Sequence, residues 1–237
     1  MQSKSHRLDR FISQHCAIKR ADVRLLLAQG RVLLNGVVAR DINQLVQAFD
    51  EVLFDGQILQ AKQARYLMLH KPVGVVSATR DDEHKTVLDL LPEDLRADLH
   101  IAGRLDLNSS GLLLLSNDGR WSRCLSAPEH KVPKIYQVTL QNPLTEEYAP
   151  AFAAGMYFAY EDITTAPAQL RMLSEYVAEV ILSEGKYHQI KRMFGRFRNP
   201  VLALHRSAIG EIVLDANLAP GEFRELNNRE INSIWGS

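Results

Sequence analysis

The sequence has few cysteines, no long hydrophobic run and no net charge, and each shortage narrows what the protein can be. Its two cysteines, Cys16 and Cys124, lie far apart and outside any CxxC pair, which favours a reduced, cytoplasmic protein and argues against a cysteine-based metal site. Apolar runs such as 112–115 are too short to cross a bilayer, and the polar residues 1–10 lack a signal-peptide core. With 46% hydrophobic and 24% charged residues, the 237-residue chain has a globular composition and the length of one or two domains.

The charges are segregated along the chain, although basic and acidic residues balance at 28 each. Residues 1–40 hold eight basic and two acidic residues, a net charge of +6, and residues 185–206 hold six basic residues and no acidic one. Residues 41–60 and 207–237 are acidic, at −4 and −3. Two basic blocks on a neutral chain predict a local anion-binding face, although two solvated helix faces would give the same counts.

The first sixty residues have the pattern of two helices followed by two hairpins. Apolar residues at Leu8, Phe11 and Ile12 predict a first helix, and a second is predicted over 19–29 with its stop at Gly30. The Asn-Gly pair at 35–36 and the Asp-Gly pair at 55–56 lie between short apolar runs and predict hairpin turns. A polar stretch follows, which predicts a domain boundary near residue 62.

This N-terminal segment resembles an S4 RNA-binding domain. The resemblance rests on RLDRFI at 7–12, the basic second helix and GRVLLNG at 30–36, and it implies an RNA-binding domain over 1–62 and a larger domain over 63–237. Guanidinium groups on a helix pair can hold the phosphates of structured RNA by shape without reading bases. The candidate RNA-binding residues are Arg7, Arg10, Lys19, Arg20, Arg24 and Arg31. A small helical cap with a charged surface is the alternative.

Residues 63–237 mix strands and helices in an order that favours an α+β fold with a largely antiparallel sheet over a doubly wound parallel fold. Apolar or alternating segments predict strands, and segments with one apolar side predict helices. The predicted strands are 66–69, 112–115, 134–140, 177–182, 201–204 and 209–214, with a short one ending at Ile101. The predicted helices are 145–154, 187–197 and 227–235, with a further one that carries Trp121.

Common catalytic motifs are missing from this larger segment. It has no phosphate-loop, dinucleotide, nucleophile-elbow or zinc-helix motif, and no histidine pair at ligand spacing beside a carboxylate or cysteine, so we expect no metal site. Asp106 is unusual because GRLD at 103–106 is a polar loop between two apolar strands, where catalytic groups often lie. From the residues alone, a structural Asx turn is the stronger interpretation of this aspartate.

Four motifs in order resemble those of RNA pseudouridine synthases. They are HKPVG at 70–74, AGRLD at 102–106 with SSGLLLL at 109–115, KIY at 134–136 and EGKYHQIKRM at 184–193. DDEHKTVL at 81–88 and LAPGEFR at 218–224 are more similar to the branch that modifies the small-subunit (16S) ribosomal RNA, the RsuA type, than to the large-subunit branches. His70, where asparagine is usual, and NSS at 108–110 depart from the family pattern at loop edges and not at the aspartate.

The resemblance implies an isomerase without a cofactor, because breaking the N1–C1′ bond and joining C5 to C1′ adds and removes no atoms or electrons. Asp106 is the implied nucleophile at C1′, or the base at the sugar, on a flipped-out uridine. A carboxylate in a closed site needs a nearby cation to stay ionised. Lys191 is the implied cation, and Tyr136 is the implied ring that stacks on the uracil. The implied RNA contacts in this domain are Arg104, Lys71 and Arg192, and Lys71 could equally cap a turn.

The implied partner is 16S ribosomal RNA, at its 516 uridine, either free or within a partly assembled small-subunit particle. The expected enzyme is a cytoplasmic monomer without a membrane or small-molecule partner. A non-catalytic S4-type ribosome-assembly factor and a large-subunit pseudouridine synthase stay open as alternatives. A nucleoside or glycoside hydrolase fits less well, because the Asp106 loop has no evident second carboxylate.

Overall fold

The computed structural model describes residues 5–235, so Lys4 of the basic N-terminal block lies outside the described residues. The chain forms two compact units, a first that runs to Ala64 and a second that comprises most of the chain from Arg65 onward. Residues 61–65 have no helix or strand. None of the helices between residues 5 and 235 is long and apolar enough to cross a membrane.

The first unit contains two helices, a two-stranded pair and a small four-stranded sheet in the order β3-β2-β5-β6. Its strand pairs are all antiparallel. Its elements are β1 His6–Arg7, α1 Leu8–Cys16, α2 Arg20–Ala28, β2 Val32–Leu34, β3 Val37–Val38, β4 Leu45–Val46, β5 Val52–Phe54 and β6 Gln57–Gln60. The predicted helices and both hairpins are therefore confirmed.

Two tight turns and one small hydrophobic core account for the fold of the first unit. Asn35 and Gly36 both have positive φ, at 51° and 76°, as a two-residue hairpin turn of type I′ requires. Asp55 and Gly56 repeat the arrangement at 50° and 79°. The predicted inward faces of both helices pack with the strands into a single core, whose buried members are Leu8, Phe11, Ile12, Val23, Leu27, Val32, Leu34, Ala39, Val46 and Val52.

The second unit is built on a nine-stranded sheet, in the order β13-β14-β10-β15-β9-β7-β17 with β16 on β15 and β8 on β9. Its pairs are antiparallel except for β15 with β9, so the predicted largely antiparallel α+β fold is confirmed. The first of its elements are β7 Tyr66–Lys71, α3 Glu93–Arg96, β8 His100–Ala102, β9 Ser110–Ser116, α4 Gly119–Ser126, β10 Lys134–Leu140, α5 Tyr148–Ala154 and β11 Tyr157–Phe158. Those that follow are β12 Ile163–Thr164, β13 Gln169–Ser174, β14 Val177–Leu182, α6 Gln189–Gly195, β15 Val201–Ile209, β16 Ile212–Val213, β17 Phe223–Glu225 and α7 Asn228–Trp235.

The central strands are buried on both faces, which is why β9 contains the apolar run Leu112 to Leu115. Leu113 and Leu115 join one core with Phe152 of α5 and Phe194 of α6. Leu112 and Leu114 join the other, whose helical members include Trp121 and Leu125 of α4 and Ile234 of α7. Two helices on each side therefore hold the middle of the sheet rigid.

Three predicted element bounds are wrong. α5 begins at Tyr148 instead of residue 145, and α6 covers only Gln189–Gly195 because His188 before it has a left-handed backbone. The two strands predicted at 201–204 and 209–214 are one continuous strand, β15, followed by the short β16. The strand continues through His205 and Arg206, and Arg206 is buried within it.

Candidate active site around Asp106

Asp106 lies in the loop between β8 and β9, and buried polar side chains hold the backbone of that loop. The hydroxyl of Ser77 donates to the carbonyl of Leu105 at 2.7 Å and accepts from its N–H at 3.0 Å. The N–H of Gly74 donates to the carbonyl of Leu107 at 2.9 Å. The Asp106 backbone is thus fixed from both sides.

Arg206 also supports the loop, from beneath it. Its guanidinium group is buried beneath the loop, where Nη2 donates to Gly103 O at 3.0 Å and Nη1 donates to Arg104 O at 3.2 Å. Nε donates to Leu112 O at 2.8 Å on the adjacent strand. One planar group therefore ties the start of the loop to β9, with three carbonyl oxygens accepting from a cation.

The strand that carries Arg206 can approach the loop only because Gly111 has no side chain. Gly111 pairs with Arg206 across the parallel β9–β15 contact, with φ of 110°. A Cβ at this position would lie 2.2 Å from the carbonyl oxygen of Arg206. The glycine in the SSGLLLL segment is therefore required by close backbone approach.

Lys71 supports the same loop from inside the protein and does not face solvent. Its fully buried ammonium group donates to Ser109 O at 2.7 Å, to Pro72 O at 2.9 Å and to Leu107 O at 3.4 Å. Burial lowers the pKa of Lys71 to about 8; the charge of Asp106 opposes this shift and that of Arg206 adds to it. We therefore replace the predicted phosphate contact of Lys71 with support of the Asp106 loop, because RNA cannot reach a buried ammonium group.

The carboxylate of Asp106 is about one-third exposed and has a different partner on each oxygen. Lys191 Nζ, from α6, lies 3.3 Å from Oδ2. His188 Nε2, from the residue that precedes α6, lies 3.4 Å from Oδ1. The predicted juxtaposition of Asp106 and the Lys191 ammonium group is thus present, and the imidazole is an addition that the sequence analysis did not single out.

Tyr136 and Arg104 line the same cleft as Asp106 and Lys191, and its empty space is about 480 Å³. Tyr136 is on the central strand β10 and is mostly buried, with the Arg206 guanidinium carbon 6.0 Å from its ring centroid. Arg104 is exposed next to Asp106. The cleft therefore combines a carboxylate, an aromatic ring and cationic groups.

Arg192 points away from this cleft, although it is adjacent to Lys191 in sequence. Its guanidinium group pairs with Glu161 and lies over the ring of Phe158, 3.9 Å from the centroid. The predicted RNA contact of Arg192 would need this pairing to open. Its observed role is to join α6 to the β11–β12 hairpin.

The candidate RNA-binding residues of the first unit fall into two sets. Arg7 and Arg20 pair with the buried carboxylate of Asp9, and Arg31 pairs with Asp55. Burial alone would raise the pKa of Asp9, but hydrogen bonds from Arg20, Arg7 and the backbone N–H of Arg10 lower it below its usual value. The other set is exposed and makes no ion pair with any described residue; it consists of Arg10, Lys19 and Arg24.

Comparisons with known proteins agree with this geometry. A family model described as RNA pseudouridylate synthase matches residues 65–195, and an S4 domain model matches residues 6–52. The chain belongs to the RNA pseudouridylate synthase family. Proteins named ribosomal small subunit pseudouridine synthase A are 52% identical in Pseudomonas aeruginosa, over 96% of this chain and 100% of that protein, and 42% identical in Escherichia coli K12, over 96% and 99%.

A solved structure supports the same assignment. A crystal structure of a pseudouridylate synthase is 38% identical, with a TM-score of 0.71 over 96% of this chain and 99% of that one. The protein is thus an RNA pseudouridine synthase, an isomerase with an N-terminal S4 domain, and both resemblances drawn from the sequence are confirmed.

Three residues at the site were missed by the sequence analysis: Ser77, His188 and Arg206. His188 is part of the EGKYHQIKRM motif, so the motif was a signal, but its approach to Asp106 depends on the left-handed turn before α6. Arg206 was counted within the basic block 185–206 and was not distinguished from its exposed neighbours. Ser77 had no signal in the sequence.

Proposed function

We propose that this synthase isomerises one uridine of 16S ribosomal RNA, at the 516 site, to pseudouridine. The observation that carries the proposal is that the relatives, which match this chain over nearly their full length, are named for the ribosomal small subunit. The RNA acts as substrate either free or within a partly assembled small-subunit particle, and the enzyme acts as a cytoplasmic monomer. Residues 1–62 serve as the RNA-binding domain and residues 63–237 as the catalytic domain.

Asp106 carries the chemistry in this proposal. It attacks C1′ of the flipped uridine, or removes a proton from the sugar, while the N1–C1′ bond breaks. Lys191 Nζ at 3.3 Å places a positive charge beside the carboxylate when RNA excludes water from the cleft. The uracil then turns and C5 bonds to C1′, which breaks the Asp106–C1′ ester bond in the first route or returns the proton to the sugar in the second. C5 then loses its hydrogen as a proton and N1 gains a proton, so the reaction takes nothing from a cofactor.

Tyr136 and Arg104 hold the substrate in the proposed mechanism. The Tyr136 ring offers a face on which the extruded uracil stacks, a contact worth about 1–3 kcal/mol. Arg104 is exposed beside Asp106, so its side chain can fill the place that the uridine leaves or bind a phosphate. Its backbone carbonyl is held by Arg206, which fixes the position from which the side chain starts.

The choice of RNA is tested with transcripts that carry tritium at C5 of uridine. We expect the wild-type enzyme to release label from small-subunit RNA, or from a particle assembled partly with ribosomal proteins, and not from large-subunit RNA. Comparing free RNA with the particle identifies the substrate state. Release from large-subunit RNA alone would assign the enzyme to the other branch, and release from neither would contradict the proposal.

The exposed cations of the first unit are expected to supply part of the RNA affinity. Replacing Arg10, Lys19 and Arg24 by glutamine removes three charges that make no ion pair with a described residue. The slope of log affinity against log salt should then fall by about 2 to 3, because each neutralised phosphate contributes about 0.7–0.9. Filter binding at several salt concentrations measures the slope.

A control variant that loses the same number of charges elsewhere shows whether the change in salt dependence comes from the S4 domain or from the overall charge of the protein. Lys85, Arg123 and Arg229 are exposed cations of the second unit that make no ion pair with a described residue and lie outside both basic blocks and the cleft lining. Replacing these three by glutamine should change the slope less than the first triple variant. Equal slopes for both triple variants would contradict a dedicated role of the S4 domain.

A further inference from the structure

The isomerisation has a step that Asp106, Lys191 and Tyr136 do not account for. Once C5 is bonded to C1′, it still carries its original hydrogen. That C–H bond must break, its electron pair must restore the conjugated ring, and the proton must pass to a base. N1, released from the sugar, takes up a proton in exchange, so the balance closes without any further reactant.

The position of this base is limited by the bond that has just formed. C5 and C1′ are neighbours in the product, and Asp106 acts at the sugar. A base that reaches the C5 hydrogen must therefore lie within a few ångströms of the Asp106 carboxylate, on the open side of the cleft.

His188 meets this condition. Its Nε2 lies 3.4 Å from Asp106 Oδ1, on the oxygen that Lys191 does not occupy, and its side chain is 37% exposed. It lines two adjoining clefts that meet at Arg104, Leu105 and Asp106. The imidazole therefore faces the space in which a turned uracil would lie.

The backbone fixes the imidazole in this direction. His188 has φ of 47° and ψ of 32°, a left-handed conformation that is uncommon for a residue with a side chain. Its ring stacks on that of Tyr187, with centroids 3.9 Å apart and planes inclined by 19°. Uncommon backbone conformations of this kind often occur at functional sites.

The other ionisable groups of the cleft are poor proton acceptors at neutral pH. Arg104, Lys186 and Lys191 bring side chains that donate hydrogen bonds and accept none, and the phenol of Tyr136 is a weaker base than an imidazole. Glu184 lies nearby in sequence, but its Oε1 accepts from Ala166 N–H and from Gln189 Nε2. An imidazole exchanges a proton close to neutral pH and suits a general base.

We infer that His188 Nε2 accepts the C5 proton of the rearranged uridine and passes it to water. This inference rests on the proposed function, since it assigns a step of that reaction. Asp106 acts at the sugar and His188 at the base, so the two groups that meet at 3.4 Å serve the two ends of the new bond.

The test uses the full-length protein and RNA whose uridines carry hydrogen or deuterium at C5. In His188→Asn the side chain is polar and not basic, and asparagine tolerates the left-handed backbone. We expect its kcat to fall about 100-fold, as for loss of a general base, with RNA affinity unchanged. Deuterium at C5 should slow this variant clearly more than the wild type, because deprotonation becomes the slow step.

A second variant separates proton transfer from support of the carboxylate. His188→Gly suits the left-handed backbone and leaves a space for added imidazole. We expect imidazole to restore activity to this variant and to leave Asp106→Asn inactive. Circular dichroism shows whether each variant folds as the wild type does.

The outcomes are distinct. Wild-type activity in His188→Asn would overturn the inference, and so would a loss of activity without an isotope effect and without imidazole rescue, which would make His188 a positioning residue only. An isotope effect that appears in Tyr136→Phe and not in His188→Asn would overturn the inference and assign removal of the C5 proton to the phenol of Tyr136. Failure of the wild type to release label from any ribosomal RNA would instead contradict the proposed function.

Discussion

Asp106→Asn is expected to lose label release from C5 of uridine by more than about 10³-fold, because the amide is neither a nucleophile nor a base. The change is nearly isosteric, and the loop is held by Ser77, Lys71 and Arg206 through its backbone. RNA affinity and the thermal unfolding midpoint should therefore stay close to those of the wild type. Single-turnover release of tritium, with enzyme in excess over RNA, measures the chemical step.

A matched control makes the same chemical change at an exposed aspartate. Asp82 is 87% exposed, and among the described residues its ion pair is with Arg80, at 3.6 Å. We expect Asp82→Asn to release label at the wild-type rate. Activity within tenfold of the wild type in Asp106→Asn would remove Asp106 from the reaction.

Arg206→Met is expected to have the largest effect on stability. The substitution removes the buried guanidinium group that donates hydrogen bonds to the carbonyl oxygens of Gly103, Arg104 and Leu112. Since each stranded buried group costs about 1–3 kcal/mol, the free energy of unfolding should fall by roughly 3 kcal/mol or more. Urea denaturation measures the change, and kcat should also fall because the Asp106 loop loses its anchor.

Two further variants show whether the stabilisation by Arg206 depends on the shape of its guanidinium group or on its charge alone. Arg206→Lys keeps the charge but not the planar group with several donors, so its stability should lie between those of the wild type and Arg206→Met. Arg196→Met removes an exposed arginine at the end of α6 and should change the free energy of unfolding by less than about 0.5 kcal/mol. Wild-type stability in Arg206→Met would contradict the supporting role of the guanidinium group.

Much of the fold could be predicted because its turns, helix faces and strand patterns are determined by residues close together in the sequence. The Asn35-Gly36 and Asp55-Gly56 turns, the apolar face of α1 and the alternation of β10 depend on neighbouring residues only. The continuous strand β15 could not be predicted in the same way. Its buried Arg206 is stabilised by carbonyls 94 and 103 residues earlier in the chain, which no local pattern contains.

In the candidate site, too, some features follow from the local sequence and others depend on tertiary contacts. The position of Asp106 between two strands follows from the apolar runs on either side, and the resemblance supplied Tyr136 and Lys191. The sequence left Lys71 as either a phosphate contact or a turn cap, whereas tertiary structure buries it under the loop. The approach of His188 to Asp106 required the backbone conformation before α6, which depends on how the helix packs.

The central claim is that this chain makes one pseudouridine in 16S ribosomal RNA by means of Asp106. Mapping of pseudouridine in ribosomal RNA from cells that lack the protein tests it most directly. The account predicts that a single modification, at the 516 site, is lost, that the wild-type gene restores it and that Asp106→Asn does not. Full modification of that site in cells without the protein, or its restoration by Asp106→Asn, would contradict the account.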